Sequence, residues 1–306
     1  MHGWLILDKP VGIGSTEAVS AVKRALRAGG YAKVKVGHGG TLDPLASGVL
    51  PIALGEATKL AGRLLDSDKV YAFTICLGET TDTLDAEGSV TARSDTFVEG
   101  AKVEDVLVEF LGPIEQAPPA FSALKVDGKR AYDLARAGAD VVLATRSVTI
   151  HDLTYVAWWN EGADRQFVTL EAHVSKGTYI RSLARDVALA LGTVGHVTYL
   201  RRTRAGPFGL AHAISLDKLR EAAKARELEH HLLPLRAGLD DIPALSLTPD
   251  QAGALRQGRV LAGITADDGL HFALLDDVPV ALVAVRDREV RVERGFNLST
   301  MSQEPS

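Results

Sequence analysis

The segment GHGGTLDPLASGVLPIALG (37–55) limits what this chain can fold into more than any other part of the sequence. Its glycines and its two prolines predict a shaped loop instead of a long helix or strand. The loop contains one carboxylate, Asp43, between Leu42 and Pro44. An Asp before Pro is often a turn former, whereas glycines on both sides let a ligand approach the backbone closely. Asp43 is therefore either a turn residue or a functional carboxylate.

The common phosphate-binding patterns do not explain this loop. No Lys-Ser/Thr pair follows the glycines, as the phosphate loop G-x-x-x-x-G-K-S/T requires, and the dinucleotide pattern G-x-G-x-x-G is missing. The single cysteine, Cys76, excludes a disulfide framework and any multi-cysteine zinc or iron–sulfur site, and its strand-like surroundings predict a small buried hydrophobe. We therefore expect neither a metal nor a cofactor.

The composition is typical of a protein with a substantial core, since 46% of the residues are apolar and 24% are charged. At roughly 150 residues per domain, the 306 residues predict two domains. No run of about 18 uncharged apolar residues could form a transmembrane helix. The apolar part of the N-terminal MHGWLILDKP is too short for a signal peptide. We expect a soluble, cytoplasmic protein without a membrane partner.

Positive charge is concentrated in three stretches, although the formal net charge is −5. The stretches between Glu17 and Asp43 and between Asp186 and Asp217 contain no acid. Such local basic faces can still hold phosphates, although each run alone is also typical of solvated surface. The cations are Lys23, Arg24, Arg27, Lys33 and Lys35, then Lys125, Lys129 and Arg130, then Arg201, Arg202 and Arg204.

Periodicity predicts helices and strands in mixed order. Helices are expected at 15–26, with Ser15 or Thr16 as the cap, and at 56–65, 103–111, 179–191, 215–229 and 248–257. Strands are expected at 69–77, 166–174, 196–203, 271–275, 280–285 and 289–293, with an extended connection at 113–122. Because no regular βαβ alternation occurs, we predict an α+β fold with a mostly antiparallel, mixed sheet.

A break in the pattern at 232–245 divides the chain. We predict a large α+β domain at 1–238 and a small β-rich domain at 239–298, which is marginally stable alone but viable when docked on the larger one. The remaining residues, 299–306, are expected to form a disordered tail.

Three further segments contain residues that suit a binding site. In SKGTYIRSLARD, Tyr179 and Arg181 begin an apolar helix, and Arg181 either extends to solvent or pairs with a buried carboxylate. In YLRRTRAGPF, Leu200 precedes paired arginines, as at a strand end beside a phosphate-binding patch. Tyr71 begins a strand, where an aromatic is more often a core residue than a stacking platform.

Taken in order, these segments resemble the TruB family of tRNA pseudouridine-55 synthases. The resemblance covers residues 4–210 and is most specific around Asp43. It implies a pseudouridine synthase catalytic domain at 1–238 and, from LRQGRVL at 255–261, a PUA-like domain at 239–298. The matching segments are ILDKPVGIGSTEAV, VGHGGTLDPLASGVLPIALGEATK, KVYAFTICLGETTDTLDAEG, QAPPAFSALKVDGKRAYDLAR, SKGTYIRSLARD and YLRRTRAGPF.

Members of this family isomerise uridine 55 in the T loop of tRNA to pseudouridine without a cofactor, metal or energy source. The N1–C1′ bond breaks, the uracil turns while it is held, and C5 bonds to C1′. The resemblance therefore implies an isomerase that acts as a monomer and whose partner is the T stem-loop of tRNA. The target base must be flipped out of its loop at a cost of a few kcal/mol.

The resemblance also implies roles for individual residues. Asp43 would be the catalytic carboxylate, either as a nucleophile or as a base at the sugar. Tyr71 would stack on the flipped base and is a candidate for removing the C5 proton. Tyr179 and Arg181 match the family motif KGTYIR, and Arg181 would pair with Asp43. Leu200 would close the apolar side of the pocket.

Other matching residues have supporting roles in this interpretation. His38 would fill the place vacated by the flipped nucleotide, without transferring a proton. Asp82 and Asp85 would hold the arginine or the loop, and Lys9 with Pro10 would shape the site.

The insertion at 123–138 matches a family segment that folds over the RNA, so we expect it to be mobile when RNA is absent. The C-terminal part is less suited to RNA, because residues 205–306 contain 11 Lys/Arg against 15 Asp/Glu, a net charge of −4. The RNA-contact candidates are Lys125, Lys129, Arg130, Arg201 and Arg202.

Two alternatives to an isomerase are open at this point. A non-catalytic protein that binds or folds tRNA could use the same surface, but it has no need of Asp43, Tyr71 and Arg181 together. A hydrolase or phosphotransferase with an aspartyl nucleophile would need a cluster of metal-binding acids beside it. No such cluster can be assembled from the sequence.

Overall fold

The computed structural model of the chain covers both predicted domains. The predicted tail at 299–306 lies outside the described residues, as does most of the insertion at 123–138. The structure describes residues 1–122, 124–126, 129–130, 143–162 and 165–298.

All six predicted helices are confirmed. Those expected at 56–65, 103–111 and 215–229 each divide into an α-helix and a short 3₁₀ helix. The α-helices are α1 (Ser15–Ala28), α2 (Ala61–Asp66), α3 (Ala101–Leu107), α4 (Ile180–Ala190), α5 (Leu216–Ala225) and α6 (Pro249–Arg256). The 3₁₀ helices are Gly55–Lys59, Val108–Phe110, Leu210–His212, Leu228–His231 and Leu235–Gly238.

The strands include all six that periodicity predicted. Cys76 lies within one of them and is buried, as expected. The strands are β1 (Gly3–Lys9), β2 (Val36–His38), β3 (Ser47–Leu54), β4 (Lys69–Leu77), β5 (Glu79–Thr81), β6 (Val90–Arg93), β7 (Gly112–Gln116), β8 (Lys125–Val126), β9 (Lys129–Arg130), β10 (Arg146–Glu161), β11 (Arg165–Val174), β12 (Gly195–Ala205), β13 (Phe208–Gly209), β14 (Leu232–Leu233), β15 (Ala244–Ser246), β16 (Leu261–Ala262), β17 (Gly269–Leu275), β18 (Val278–Arg286) and β19 (Glu289–Gly295).

A 10-stranded sheet forms the centre of the larger part of the chain. Its strand order is β14-β1-β3-β12-β4-β11-β10-β7, with β2 paired to β3 and β13 paired to β12. All of its pairings are antiparallel except a short parallel contact between β3 and β12. The predicted α+β fold with a mostly antiparallel, mixed sheet is therefore confirmed.

The prediction of a loop over 37–55 is wrong for its second half. Residues 47–54 form the fully buried strand β3 between β1 and β12. Only a glycine suits position 48. Its φ is +101°, and a Cβ at Gly48 would lie 2.2 Å from the Arg202 carbonyl oxygen. The glycine therefore marks a close approach of two backbones inside a sheet, which sequence composition does not distinguish from a loop.

Two further long strands were not predicted, for two different reasons. Strand β1 is almost entirely buried, so it lacks the alternation of apolar and polar residues that identifies a strand with one solvated face. Strand β10 has register shifts against β11 at two places, and each shift interrupts the period of two.

The two faces of the large sheet are covered by different layers. On the front face, α1, α4 and α5 pack over the largest apolar cluster, which includes Phe73 and Leu200. On the back face, Trp4 shares a cluster with Phe272 of β17 and Leu282 of β18. No helix among the described residues is long and apolar enough to cross a membrane.

A second, five-stranded sheet lies behind the first. Its order is β15-β17-β18-β19-β16, and it has its own apolar cluster with α6. This confirms a separate β-rich C-terminal unit. The boundary between residues 238 and 239 stays a prediction, as does the PUA-like character of the unit.

We expect opposite effects on stability from two glycine substitutions. Gly48→Ala should lower the free energy of unfolding by at least about 2 kcal/mol, because alanine would be strained at this φ and would clash with backbone. Gly62→Ala, in α2 with open space around it, should raise it by about 0.5–1 kcal/mol. Urea unfolding of both variants measures this, and equal effects would contradict it.

Candidate active site

A cleft of about 230 Å³ opens on the front face of the large sheet. It is lined by Asp43 from the loop before β3, Tyr71 from β4, Leu200 from β12, and Tyr179 and Arg181 from the start of α4. The structure therefore brings five of the six predicted catalytic and base-binding residues together around one space. The sixth, His38, lies at the end of β2 and is not among the residues that line the cleft.

An ion pair between Asp43 and Arg181 connects the glycine-rich loop to α4. Arg181 Nη2 lies 2.8 Å from Asp43 Oδ2, and the side chains are 6% and 37% exposed, respectively. Arg181 Nη1 donates to the Thr83 carbonyl oxygen at 2.8 Å and Nη2 to that of Phe121 at 3.1 Å. The guanidinium thus has a fixed direction, while the Asp43 carboxylate stays partly open to the cleft.

A second carboxylate balances the charge of the buried arginine. Asp85 Oδ2 lies 3.5 Å from Arg181 Nη1, and its side chain is 4% exposed. Its other oxygen accepts hydrogen bonds from Thr83 Oγ1 at 2.6 Å and from the Glu87 amide at 3.1 Å. Asp82, by contrast, accepts a hydrogen bond from the Ser89 amide at the exposed end of the same loop. Asp85 therefore holds the arginine, and Asp82 holds the loop.

The backbone of the loop around Asp43 is anchored before and after the carboxylate. Ser15 Oγ accepts a hydrogen bond from the Leu42 amide at 2.8 Å and donates to the Leu42 carbonyl oxygen at 3.2 Å. On the other side of Asp43, the Gly12 amide donates to the Pro44 carbonyl oxygen at 2.8 Å. Ser15 was predicted as a possible cap of α1, but Gly14 occupies the cap position. Its hydroxyl positions the loop instead.

Two buried cations hold the same loop through carbonyl oxygens. Lys9 is fully buried, and its Nζ donates to the carbonyl oxygens of Ile13 at 2.7 Å and Pro10 at 2.9 Å. It also lies 3.5 Å from that of Pro44. Arg202 is 1% exposed and donates from Nη1 to Thr41 O at 3.2 Å. Neither cation forms an ion pair with Asp43, so this carboxylate is paired with Arg181 alone.

The two adjacent arginines that were predicted to contact RNA leave the sheet on opposite faces. Arg202 lies opposite Tyr71 in the pairing of β12 with β4, and Arg201 lies opposite Ala72. Arg201 is on the back face, where Nη2 pairs with Asp8 Oδ2 at 2.8 Å. The placement therefore argues against both predicted phosphate contacts, since Arg202 is enclosed and Arg201 is paired away from the cleft.

The orientation of Tyr179 depends on two residues that the sequence did not indicate. The buried Gln116 side chain accepts a hydrogen bond from the Tyr179 amide at 2.8 Å and donates to the Tyr179 carbonyl oxygen at 3.1 Å. The Arg146 guanidinium lies 4.5 Å from the centre of the tyrosine ring, within cation–π range. Gln116 lies in a segment that matches the family, but neither it nor Arg146 has a recognisable pattern around it.

Among the other predicted residues, His38 is half-buried, and burial lowers the pKa of its imidazole, so the ring is neutral near pH 7. Its expected role in the place vacated by the nucleotide, without proton transfer, stays a prediction. Lys125, Lys129 and Arg130 lie on β8 and β9, which pair with each other. The structure describes only the backbone of these three residues.

A partly exposed carboxylate paired with a buried arginine, in a cleft lined by two tyrosines, is typical of an enzyme active site. Comparison with known proteins identifies the class of enzyme. Residues 23–180 match the profile of the "TruB family pseudouridylate synthase (N terminal domain)". Residues 181–240 match that of the "tRNA pseudouridylate synthase B C-terminal domain". The chain belongs to the TruB family of pseudouridylate synthases, as its motifs predicted.

Individual relatives agree with the family match. The tRNA pseudouridine synthase B of Novosphingobium aromaticivorans is 61% identical over 303 residues, which cover 99% of this chain and 100% of the relative. That of Zymomonas mobilis subsp. mobilis is 60% identical over 297 residues, 97% of this chain and 96% of the relative. A solved H/ACA RNP bound to a substrate RNA containing 2'-deoxyuridine has a chain of similar fold. It is 26% identical with a TM-score of 0.71, covering 96% of this chain and 84% of that one.

We expect Ser15 to act as a positioning residue for the catalytic loop. Ser15→Ala leaves the buried Leu42 amide and carbonyl without partners. Because each of these hydrogen bonds is worth about 1 kcal/mol, kcat for pseudouridine formation should fall about tenfold with little change in KM. Ser15→Thr retains a hydroxyl and should restore most of the rate. A fall in thermal stability with an unchanged kcat would show that the hydroxyl matters only for folding.

Stability should rise between pH 8 and 9 because of two buried lysines. Burial lowers the pKa of Lys9 from 10.5 to about 8, although Asp43 raises it, and burial likewise lowers the pKa of Lys69 to about 8. In this window the unfolded chain keeps protons that the folded chain has released, so the free energy of unfolding increases with pH. Each lysine contributes up to about 1.4 kcal/mol per pH unit.

Urea unfolding at several pH values measures this slope, and Lys9→Met and Lys69→Met should each reduce it. Above pH 9 an opposite contribution from one thiol reduces this slope, because burial raises the pKa of Cys76 from 9.0 to about 11. A flat or falling native profile between pH 8 and 9 would contradict the assignment of the two lysines.

Proposed function

We propose that this chain is the isomerase that converts uridine 55 in the T loop of tRNA to pseudouridine, as a monomer in the cytoplasm. The curated relatives are named for pseudouridine synthesis in tRNA. The observation that carries the proposal is the ion pair of 2.8 Å between Asp43 and Arg181 at the wall of the cleft. The target position, the T stem-loop and the monomeric state follow from the family motifs.

The reaction breaks the N1–C1′ bond of the uridine and forms a bond between C5 and C1′. The proton on C5 leaves and N1 gains a proton, so the product is an isomer and no co-reactant is needed. Asp43 acts at the sugar, either as a nucleophile at C1′ or as a base for a sugar proton. Arg181 provides a permanent positive charge that stabilises the carboxylate where it is needed.

The remaining wall of the cleft suits a base that has left its stack. Tyr71 lies on β4 next to Arg202 of β12, and stacking on its ring returns about 1–3 kcal/mol of the cost of flipping. Leu200, only 5% exposed, provides an apolar side that holds the detached uracil. The Gln116 side chain holds the backbone of Tyr179 at the N-terminus of α4. His38 fills the vacated place in the RNA.

The alternatives that the sequence left open fit the site less well. A protein that only binds tRNA gains nothing from a buried arginine aimed at a partly exposed carboxylate. A hydrolase would need a metal ion beside Asp43, but the guanidinium of Arg181 occupies that position and would repel a cation. Among the described residues, the group with metal-ligand spacing is Cys76, Glu79 and His196, which does not include Asp43.

RNA contacts also extend outside the cleft. We assign phosphate contacts to Lys125, Lys129 and Arg130, whose strands β8 and β9 belong to the insertion at 123–138. The β-rich unit at 239–298, which we infer to be PUA-like, contributes at most weakly because its region carries net negative charge.

Tritium release tests the activity and the role of Asp43 together. The substrate is a T-arm stem-loop labelled at C5 of its uridines, with whole unmodified tRNA as a second substrate. The native protein should release one label per RNA. Asp43→Asn should release less than about one thousandth as fast, as expected when a catalytic group is removed, and should still bind the RNA.

Asp105→Asn is the matched control, since Asp105 is exposed on α3 and the substitution removes the same charge. It should release label at the native rate. Tight RNA binding without release from either substrate would leave a binding protein and overturn the isomerase proposal. Release by Asp43→Asn at the native rate would overturn the role of Asp43.

A further inference from the structure

The segment between residues 15 and 38 is attached to the catalytic loop at both ends. It begins at Ser15, whose hydroxyl is bonded to Leu42, and runs through α1. It returns through β2, which ends at His38 and continues directly into the glycines before Asp43. The segment therefore starts and ends beside the cleft, and α1 extends its middle part along the front face of the sheet.

Every exposed charged residue of this segment after Glu17 is basic. The buried side of α1 packs Ala18, Val22 and Leu26 into the front core, which leaves the polar side of the helix in solvent. The segment contains no acid after Glu17 in the first turn of α1. We call five exposed cations of this segment the α1 basic surface: Lys23, Arg24, Arg27, Lys33 and Lys35.

None of these five cations has an ion-pair or hydrogen-bond partner within the described residues. Elsewhere on the surface, Lys59, Lys102 and Lys176 each pair with a carboxylate. The carbonyl end of α1 can stabilise the charge of Arg27, which lies in the last turn. Lys33 and Lys35 lie beyond the helix, so its carbonyl end does not account for their charge.

The neighbouring helix α5 does not cancel this charge. The guanidinium of Arg226, at the end of α5, lies 5.8 Å from the centre of the Tyr31 ring and donates to the Gly30 carbonyl oxygen at 3.1 Å. Glu229 accepts a hydrogen bond from the Tyr31 hydroxyl at 3.1 Å. The other acids of this neighbourhood, Asp217, Glu221 and Glu227, lie on or next to α5; Asp217 pairs with Arg220.

We propose that the α1 basic surface binds the phosphodiester backbone of tRNA outside the T arm. This inference rests on the proposed function, because it requires RNA in the cleft. At 1.5 Å per helical residue, Lys23 and Arg27 lie about 12 and 18 Å along α1 from Ser15. A folded tRNA whose T loop enters the cleft extends well past that distance. Cations without an ion-pair partner suit phosphates because binding releases counterions from the RNA.

Salt-dependent binding of two RNAs tests the proposal. The full-length chain is titrated with whole unmodified tRNA and, separately, with the T-arm stem-loop. Two double variants, Arg24→Gln/Arg27→Gln and Lys33→Gln/Lys35→Gln, are compared with Lys102→Gln/Arg165→Gln. This control removes the same charge from exposed positions on α3 and β11, and the ion pair of Lys102 with Glu99 is exposed and weak.

For whole tRNA, each test variant should weaken binding several-fold. It should also reduce the slope of log K against log salt by about one for each phosphate that the variant no longer neutralises. For the T arm, Kd and slope should match those of the control. At saturating tRNA, the rate of tritium release should stay native, because the variants leave the cleft unchanged.

Two results would overturn the proposal. Test variants with the Kd and slope of the control would show that the surface binds no RNA. An equal decrease in affinity for the T arm and for whole tRNA would show that the cations bind the T arm itself. Native tritium release in either case separates these results from a failure of the proposed isomerase.

Discussion

The buried guanidinium of Arg181 is the interaction on which the rest of the site depends. It joins four parts of the chain: α4, the loop of Asp43, the loop of Thr83 and Asp85, and the segment at Phe121. An isolated charge at this depth would be strongly destabilising, so two carboxylates and two carbonyl oxygens must surround it. Removing either carboxylate would leave charge unbalanced, and losing either carbonyl oxygen would leave a buried N–H without an acceptor.

The loop around Asp43 is held by groups that bind its backbone and do not bind the Asp43 carboxylate. Lys9 and Arg202 bind carbonyl oxygens before and after Asp43, and Ser15 binds both polar groups of Leu42. Cations that bind carbonyls keep their positive charge near the loop without competing with Arg181 for Asp43. Burial nevertheless lowers the pKa of Lys9, which shows that this way of fixing the loop opposes folding at neutral pH.

Consecutive arginines in β12 show why a motif cannot assign a role by itself. Arg201 and Arg202 are equally basic in sequence, but the pleat sends one to the back face and the other into the core beneath the cleft. The α1 basic surface instead presents five exposed cations that have no ion-pair partner within the described residues. Their exposure follows from the apolar stripe of α1, which faces the core.

Local sequence predicted six of the helices, most of the long strands and five residues that line the cleft, because periodicity and motifs depend on neighbouring residues. Only the tertiary structure decided that residues 47–54 form a buried strand and that Ser15 anchors a loop instead of capping a helix. It also decided that Gln116 orients Tyr179. These features depend on which strands become neighbours in the sheet. Contacts between residues far apart in sequence set that order, and no local pattern records them.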